Sequence, residues 1–348
     1  MCDNNTGIRR RARERPSSAP VLSKRDLFSE GEDIRIMKKP RIYIDGQSGT
    51  TGLQIYDRIG MRKDLELLRI DEDKRHDTEE RRRFLNAADI VFLCLPDDGA
   101  REAVALIENP DVRVIDASTA HRTAPGWDYG FPELGEDFRE RIKKSLRVAN
   151  PGCHASGFLA CAYPLVKLGI VPADYPLTCY SLTGYSGGGK KMIASYEDPE
   201  RNPLLDAPGI YGLGLKHKHL PEMKFVAGLT YPPAFLPVVD DYREGMETTV
   251  LLHARLLPGS PSAEEICKEL GSFYENEYFV RVRPYESSPG TLYAGEYAGT
   301  NNMEIVVTGH GEQTAVTARF DNLGKGASGA AVQNMNIMLG LDERTGLL

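Results

Sequence analysis

From Pro40 onward, short apolar runs alternate with amphipathic stretches. Arg41-Ile42-Tyr43-Ile44-Asp45 reads as a strand, and residues 53–59, behind a glycine turn, as an amphipathic helix. Residues 65–70 read as a second strand. The nearly continuous apolar run 88–96 is what a parallel strand covered on both faces requires. Residues 112–116 and 145–149 follow as further strands, with helical patterns between them. Such alternation predicts an α/β domain with a Rossmann-like doubly wound sheet. After residue 153 the texture changes. A small, apolar helix over 155–163 precedes runs at 177–182, 224–228, 246–255, 303–308 and 315–320, all rich in strand formers. These predict an α+β domain with a mixed sheet and helices on one face. The boundaries read as 38–152 for the first domain and 153–323 for the second. A last helix, 324–340, is expected to pack back on the first domain.

The turn Gly46-Gln47-Ser48-Gly49-Thr50-Thr51-Gly52 joins the first strand to the first helix. Its glycine spacing departs from G-x-G-x-x-G but keeps the physical logic. Glycines let the backbone approach a pyrophosphate, and the helix N-terminus attracts its charge. A tight strand–helix turn with no ligand has the same pattern. Ligands of such sheets bind beyond the carboxyl ends of the strands, which gathers this turn, Leu95-Pro96-Asp97-Asp98 and Ala117-Ser118-Thr119-Ala120 around one crevice. Beyond the second strand Asp71 is followed by Lys74 and Arg75. An acid there suits a ribose hydroxyl and a base a 2′-phosphate, so the basic pair tilts the reading toward NADP.

Cys153 lies in Asn150-Pro151-Gly152-Cys153-His154, between a strand and a helix start. Free N–H groups of a first helical turn favour a thiolate, the reactive form. A buried structural thiol fits the same position. In the second domain Ser186-Gly187-Gly188-Gly189-Lys190 can cradle an anion, or be a loop tip. His217 and His219, in Lys216-His217-Lys218-His219, can exchange a proton with a thiol or an alkoxide. Flanking lysines and the lack of a third ligand argue against a metal there. Small residues around Gly326 allow close approach of backbone or ligand.

Composition narrows this little. The chain has 348 residues, 41% hydrophobic and 27% charged, enough for two domains. A net charge of −7 gives no basic surface for nucleic acid. No apolar run approaches the roughly 18 residues of a membrane span. Six scattered cysteines without a CxxC pair indicate a reduced, cytoplasmic protein, with Cys94, Cys161, Cys179 and Cys267 in apolar core stretches. Residues 1–37, Arg-rich and without apolar period, read as a disordered extension, and Met37 as an alternative start. The acids in that segment argue against a transit peptide.

Seven segments, in order, resemble N-acetyl-γ-glutamyl-phosphate reductase, the arginine-biosynthesis enzyme, in its shorter type 2 subfamily. They are the 45–52 turn, Leu93–Asp98, Asp116-Ala117-Ser118-Thr119-Ala120-His121-Arg122, Tyr129-Gly130-Phe131-Pro132-Glu133-Leu134, Asn150-Pro151-Gly152-Cys153, Ser186-Gly187-Gly188-Gly189-Lys190 and Lys218-His219-Leu220-Pro221-Glu222. His154 stands where the family has an aromatic residue such as tyrosine. The resemblance implies a Cys153 nucleophile and His219, or else His217, as acid/base. It implies cofactor contacts from Gly46, Ser48, Gly49, Thr50, Thr51, Gly52, Lys74, Arg75, Pro96, Ser118 and Gly326. An acyl-phosphate substrate would meet Arg122, Asn150, Gly187, Gly188, Lys190, Lys218 and Glu222. It also implies a homodimer or homotetramer and no metal. Aspartate-semialdehyde dehydrogenase, with the same plan and a substrate one methylene shorter, is the nearest rival reading. A non-catalytic NADP-binding regulator is the rival of another class.

Overall fold

Strand β1 (Arg41–Asp45) is buried at four of its five positions, as a central parallel strand must be. The computed structural model describes residues 39–47, 49–287 and 289–347, so the expectations for residues 1–37 and for Ser48 fall outside the described residues. Around β1 stand β2 (Glu66–Leu68), β3 (Ile90–Leu93), β4 (Arg113–Asp116), β5 (Asp128–Tyr129) and β6 (Arg147–Ala149), all parallel, in the order β2-β1-β3-β4-β6-β5. Helices α1 (Thr50–Gly60), α2 (Thr78–Ala87), α3 (Asp97–Ala105) and α4 (Glu136–Lys144) lie between them. Separate apolar clusters fill the two faces, one around Ile44, Phe92 and Ile115, the other around Tyr43, Val91 and Val114. The doubly wound arrangement is the one expected from the apolar runs.

Helix α5 (Cys153–Lys167) leads into the second sheet, and α6 (Gly189–Glu197) begins in the glycine loop after its first strand. That sheet runs β11-β12-β13-β10-β7-β9-β8 and mixes parallel with antiparallel pairs. Its strands are β7 (Thr178–Gly184), β8 (Gly209–Ile210), β9 (Ala234–Asp240), β10 (Met246–His253), β11 (Val280–Val282), β12 (Met303–His310) and β13 (Gln313–Phe320). Helices α5 and α8 (Ala263–Phe273) cover one face, over a core that includes Phe158, Leu159, Val250, Ile266 and Phe320. The other face leaves Tyr180, Leu236 and Leu251 exposed. Helix α9 (Gly329–Met338) packs on α1 and α4 of the first sheet.

One expectation for the second half is corrected, and one strand is added. Residues 224–228 are not a strand but the end of α7 (Leu220–Ala227), with His219 as N-cap, a proline in the first turn and Gly228 in the left-handed region at φ +70° as the stop. Strand β9, not anticipated, hides behind Pro237. A strand residue's N–H and C=O point to the same side, and the Pro237 carbonyl accepts from Tyr211 N on the β8 side. The missing N–H therefore costs no bond to β7. Cys161, Cys179 and Cys267 are buried, whereas Cys94 is only half-buried. Among the described residues no helix is long and apolar enough to cross a membrane.

Candidate active site

The turn Asn150-Pro151-Gly152 carries the chain from β6 into α5 and puts Cys153 at the first helical position. Polar contacts hold it on every side. Asn150 N donates to Asp116 O (2.8 Å) and Asn150 Nδ2 to Ala327 O (2.9 Å). Gly152 N donates to Glu222 Oε1 (2.9 Å). The Glu222 carboxylate, buried, also accepts from Tyr129 Oη (2.9 Å) and, through Oε2, from Arg122 Nη1 (2.7 Å). Arg122 Nε donates to Asn150 O (3.0 Å) and Nη2 to Ala117 O (3.1 Å). One carboxylate on α7 thus ties the guanidinium to the turn that carries Cys153.

His219, the N-cap of α7, leans over the same turn. A Cβ on Gly152 would lie 2.4 Å from Arg122 Nη1 and 2.5 Å from His219 Nε2, so only glycine fits between them. Burial first, then the charge on Arg122, hold the His219 ring well below its ordinary pKa, so it is neutral at pH 7. Among the described residues its Nδ1 is buried without a partner. No hydrogen bond of the ring among these residues therefore holds one tautomer, and Nε2 can take or give a proton. His217 sits edge-on to His219 at 4.7 Å between ring centroids, and its Nδ1 accepts from His219 N at 3.2 Å.

Burial pushes the Cys153 thiol above its ordinary pKa; the His154 N–H, Arg122 and Lys218 pull it down, and Glu222 pushes it up. The helix start favours a thiolate, and burial works against it. Desolvation outweighs the N–H groups, and the thiol needs a base.

Cys153 opens into a cavity of about 330 Å³. Both sheets contribute to its lining: Thr50 and Thr51 from α1, Gly187 and Gly188 from the glycine loop, Lys218, and Gly326. A Cβ on Gly326 would meet Cys153 Cβ at 3.0 Å. That turn is pinned by the buried Lys325, whose Nζ donates to Glu133 (2.7 and 2.8 Å) and to Gln333 Oε1 (2.6 Å).

A neighbouring cavity of about 380 Å³ lies along Gly49, Thr50, Thr51, Leu95, Gly189 and Lys190. Its walls fit a dinucleotide phosphate. Gly46 has φ +86° and a Cβ there would strike Cys94 O at 2.4 Å; a Cβ on Gly52 would strike Gly46 O at 2.6 Å. The N-cap Gly49 offers no side-chain cap, and among the described residues Thr50 Oγ1 is buried without a partner, so the first turn of α1 has donors to offer an acceptor.

Other expected residues stand apart. Ser118 Oγ is turned onto Asp116 Oδ2 (2.7 Å). Glu222 is committed to its clamp, and Pro96 caps α3. Lys74, exposed, and Arg75, half-buried, lie on a turn beyond β2, Arg75 pairing with Glu72 at 3.2 Å. Lys190, grouped with the substrate contacts from the sequence, lines the dinucleotide-side cavity. Tyr129, His154 and Tyr211 were not singled out as site residues, yet each is hydrogen-bonded into the site. For His154 the signal was available, since it adjoins the nucleophile on a first helical turn.

Residues 41–145 match the family model for the semialdehyde dehydrogenase NAD binding domain, and 153–322 that for the semialdehyde dehydrogenase dimerisation domain. A nicotinamide dinucleotide is the class of cofactor this implies. N-acetyl-gamma-glutamyl-phosphate reductase 2 of Nostoc sp. is 48% identical over 323 residues, covering 89% of this chain and all of that protein. N-acetyl-gamma-glutamyl-phosphate reductase 2 of Pseudomonas putida is 49% identical over 310 residues, covering 87% of this chain and 98% of that one.

The chain belongs to the N-acetyl-γ-glutamyl-phosphate reductase family.

Like other members of this reductase family it is an oxidoreductase. Aspartate semialdehyde dehydrogenase II of Vibrio cholerae shares the fold at TM-score 0.64 and 14% identity, over 87% of this chain and 99% of that one. The Candida albicans enzyme, solved with NADP, does so at TM-score 0.62 and 14% identity, with the same coverage. Those likenesses carry the fold alone. The reductase relatives, at more than three times that identity, separate this chain from the aspartate enzyme with the shorter substrate.

Proposed function

We propose that the protein reduces N-acetyl-γ-glutamyl phosphate to N-acetyl-L-glutamate 5-semialdehyde and phosphate, with NADPH, through a thioester on Cys153, as a step of arginine biosynthesis. The observation that carries this reading is the convergence of Cys153, His219 Nε2 and Arg122 Nη1 across Gly152, in a cavity lined by both glycine turns.

Neutral His219 takes the thiol proton, and Arg122 and Lys218 favour the resulting thiolate. The sulfur bonds to the acyl carbon and the C–O bond to phosphate breaks. Arg122, Lys218 and the N–H groups of Gly187 and Gly188 hold the anionic groups of the substrate. NADPH, when bound, supplies the hydride that reduces the thioester. Beside the Arg122 charge, protonated His219 is a strong acid; it protonates the carbonyl-derived oxygen and then shuttles that proton to sulfur as the aldehyde leaves. The first turn of α1 and Lys190 hold the cofactor's phosphates. Lys74 and Arg75, on the turn after β2, would meet a 2′-phosphate, and this is the basis for NADP over NAD. The exposed Tyr180, Leu236 and Leu251 face of the second sheet is the surface on which a homodimer or homotetramer would form.

The test is Cys153→Ser. Reductase turnover should vanish while NADPH still binds, followed by nicotinamide fluorescence. Turnover that survives the substitution refutes the covalent route.

A further inference from the structure

His154 is buried, and both of its ring nitrogens are engaged. Nδ1 lies 2.7 Å from Ser181 Oγ, and Nε2 lies 2.6 Å from Tyr211 Oη. Ser181 Oγ in turn lies 2.8 Å from Thr248 Oγ1. Thr248 and Ser181 are both fully buried. The four side chains form a line from the interior of the second sheet to Tyr211, which lines the Cys153 cavity.

The line can carry its protons in two directions, and burial selects one. If Tyr211 donated to His154, then Nδ1–H would donate to Ser181, Ser181 to Thr248, and the Thr248 hydroxyl proton would have no acceptor among the described residues. A buried donor left unmet keeps its full desolvation penalty with no bond to offset it. In the opposite direction Thr248 donates to Ser181, Ser181 to Nδ1, and Nε2–H to Tyr211 Oη. Every buried proton then has an acceptor, and the one uncommitted hydroxyl proton is that of Tyr211, at the cavity. The imidazole must be neutral for this. Burial, followed by the charges on His217 and Lys218, holds His154 down to about 3. Edge-on packing against Phe235 (5.2 Å) and His217 (5.4 Å) keeps the ring from turning over.

We propose that Tyr211 is a catalytic hydrogen-bond donor to the acyl oxygen of the substrate, and that Thr248, Ser181 and His154 are positioning residues that turn its proton into the cavity. The proposal rests on the reductase reading for its substrate, but the direction of the line does not. Burial and the charge on Cys153 both raise the Tyr211 hydroxyl's pKa, so it stays a donor throughout the working pH range. A donor of this kind strengthens its bond as the carbonyl oxygen gains charge, first in thioester formation and again in reduction.

Two measurements test it. Nitrogen-15 spectra of histidine-labelled protein should show His154 as the Nε2–H tautomer, and Ser181→Ala should shift it toward Nδ1–H. Nδ1–H in the native protein overturns the relay, whatever the reaction proves to be. In steady-state kinetics Tyr211→Phe should lower kcat by about 100-fold with KM for the acyl phosphate changed less than threefold. Ser181→Ala, outside the cavity, should lower kcat at least fivefold, and the double variant should be no slower than Tyr211→Phe alone. NADPH binding should be unchanged in all three, which separates the effect from misfolding. His154→Gln, with one acceptor and one donor, should recover part of the activity that His154→Phe loses. Losses that multiply, or full activity in Tyr211→Phe, overturn the assignment. A native protein that turns over no acyl phosphate but shows Nε2–H refutes the reductase reading and leaves the relay standing.

Discussion

Glu222→Gln isolates the clamp beneath the nucleophile, because it changes a charge and almost no volume. The carboxylate accepts three hydrogen bonds, from Gly152 N, Tyr129 Oη and Arg122 Nη1. An amide has one oxygen. If that oxygen faces Arg122, the amide N–H₂ meets the Gly152 N–H; if it faces Gly152, the N–H₂ meets the guanidinium. Either way one buried donor is orphaned and the Arg122 charge loses its counterion. Breaking a buried ion pair from one side costs about 3–5 kcal/mol. At about 2 °C per kcal/mol for a chain of this size, the melting temperature should drop by roughly 6–10 °C. Turnover should fall at least tenfold, because Arg122 and the Gly152 turn lose their common anchor. The thiol should respond in the opposite sense. Glu222 raises the Cys153 pKa, so its removal lowers it and alkylation by iodoacetamide at pH 7 should speed up. Slower turnover beside a more reactive thiol is the signature. A variant that melts within about 1 °C of the native protein, or keeps full activity, refutes the clamp; this scale is well below the expected loss.

The histidine cluster predicts acid sensitivity. His154 and His219 stay neutral when folded, whereas each binds a proton below about pH 6.5 in the unfolded chain. The unfolded state therefore holds more protons, and stability falls from pH 6.5 toward pH 4 by up to about 1.4 kcal/mol per pH unit for each ring. Urea midpoints at pH 7, 6 and 5 should show this slope, and His154→Phe should reduce it by about one proton; an unchanged slope refutes the assignment. For the cofactor, Lys74→Ala with Arg75→Ala should weaken NADPH about 10–100-fold, the loss of one or two charge-assisted bonds, and leave NADH unaffected. Equal losses for both nucleotides would show that these residues do not read the 2′-phosphate.

The first sheet was legible because its strands are buried on both faces and its turns are marked by glycine, so local pattern and tertiary role coincide. The second half broke that coincidence twice. Phe225-Val226-Ala227 is too short a run to show a period, and its helical fate is set by the proline before it and by Gly228 after it. Pro237 concealed β9 because a sequence does not show which side of a strand a missing N–H faces. The site divides along the same line. Cys153 and the histidines are visible as residue types, and Gly152 and Gly326 as small residues near them. Glu222 meets Gly152 across 70 residues and Arg122 across 100, and Tyr211 meets His154 across 57. No local pattern records such pairings. The thiol shows the cost of reading charge locally: the helix start favours a thiolate, and that inference holds for an exposed cysteine. Here the enclosure that would keep water from the proposed thioester also desolvates the sulfur, and burial outweighs the neighbouring N–H. In the proposed route the histidine is therefore part of the activation of Cys153, which needs α7 in place.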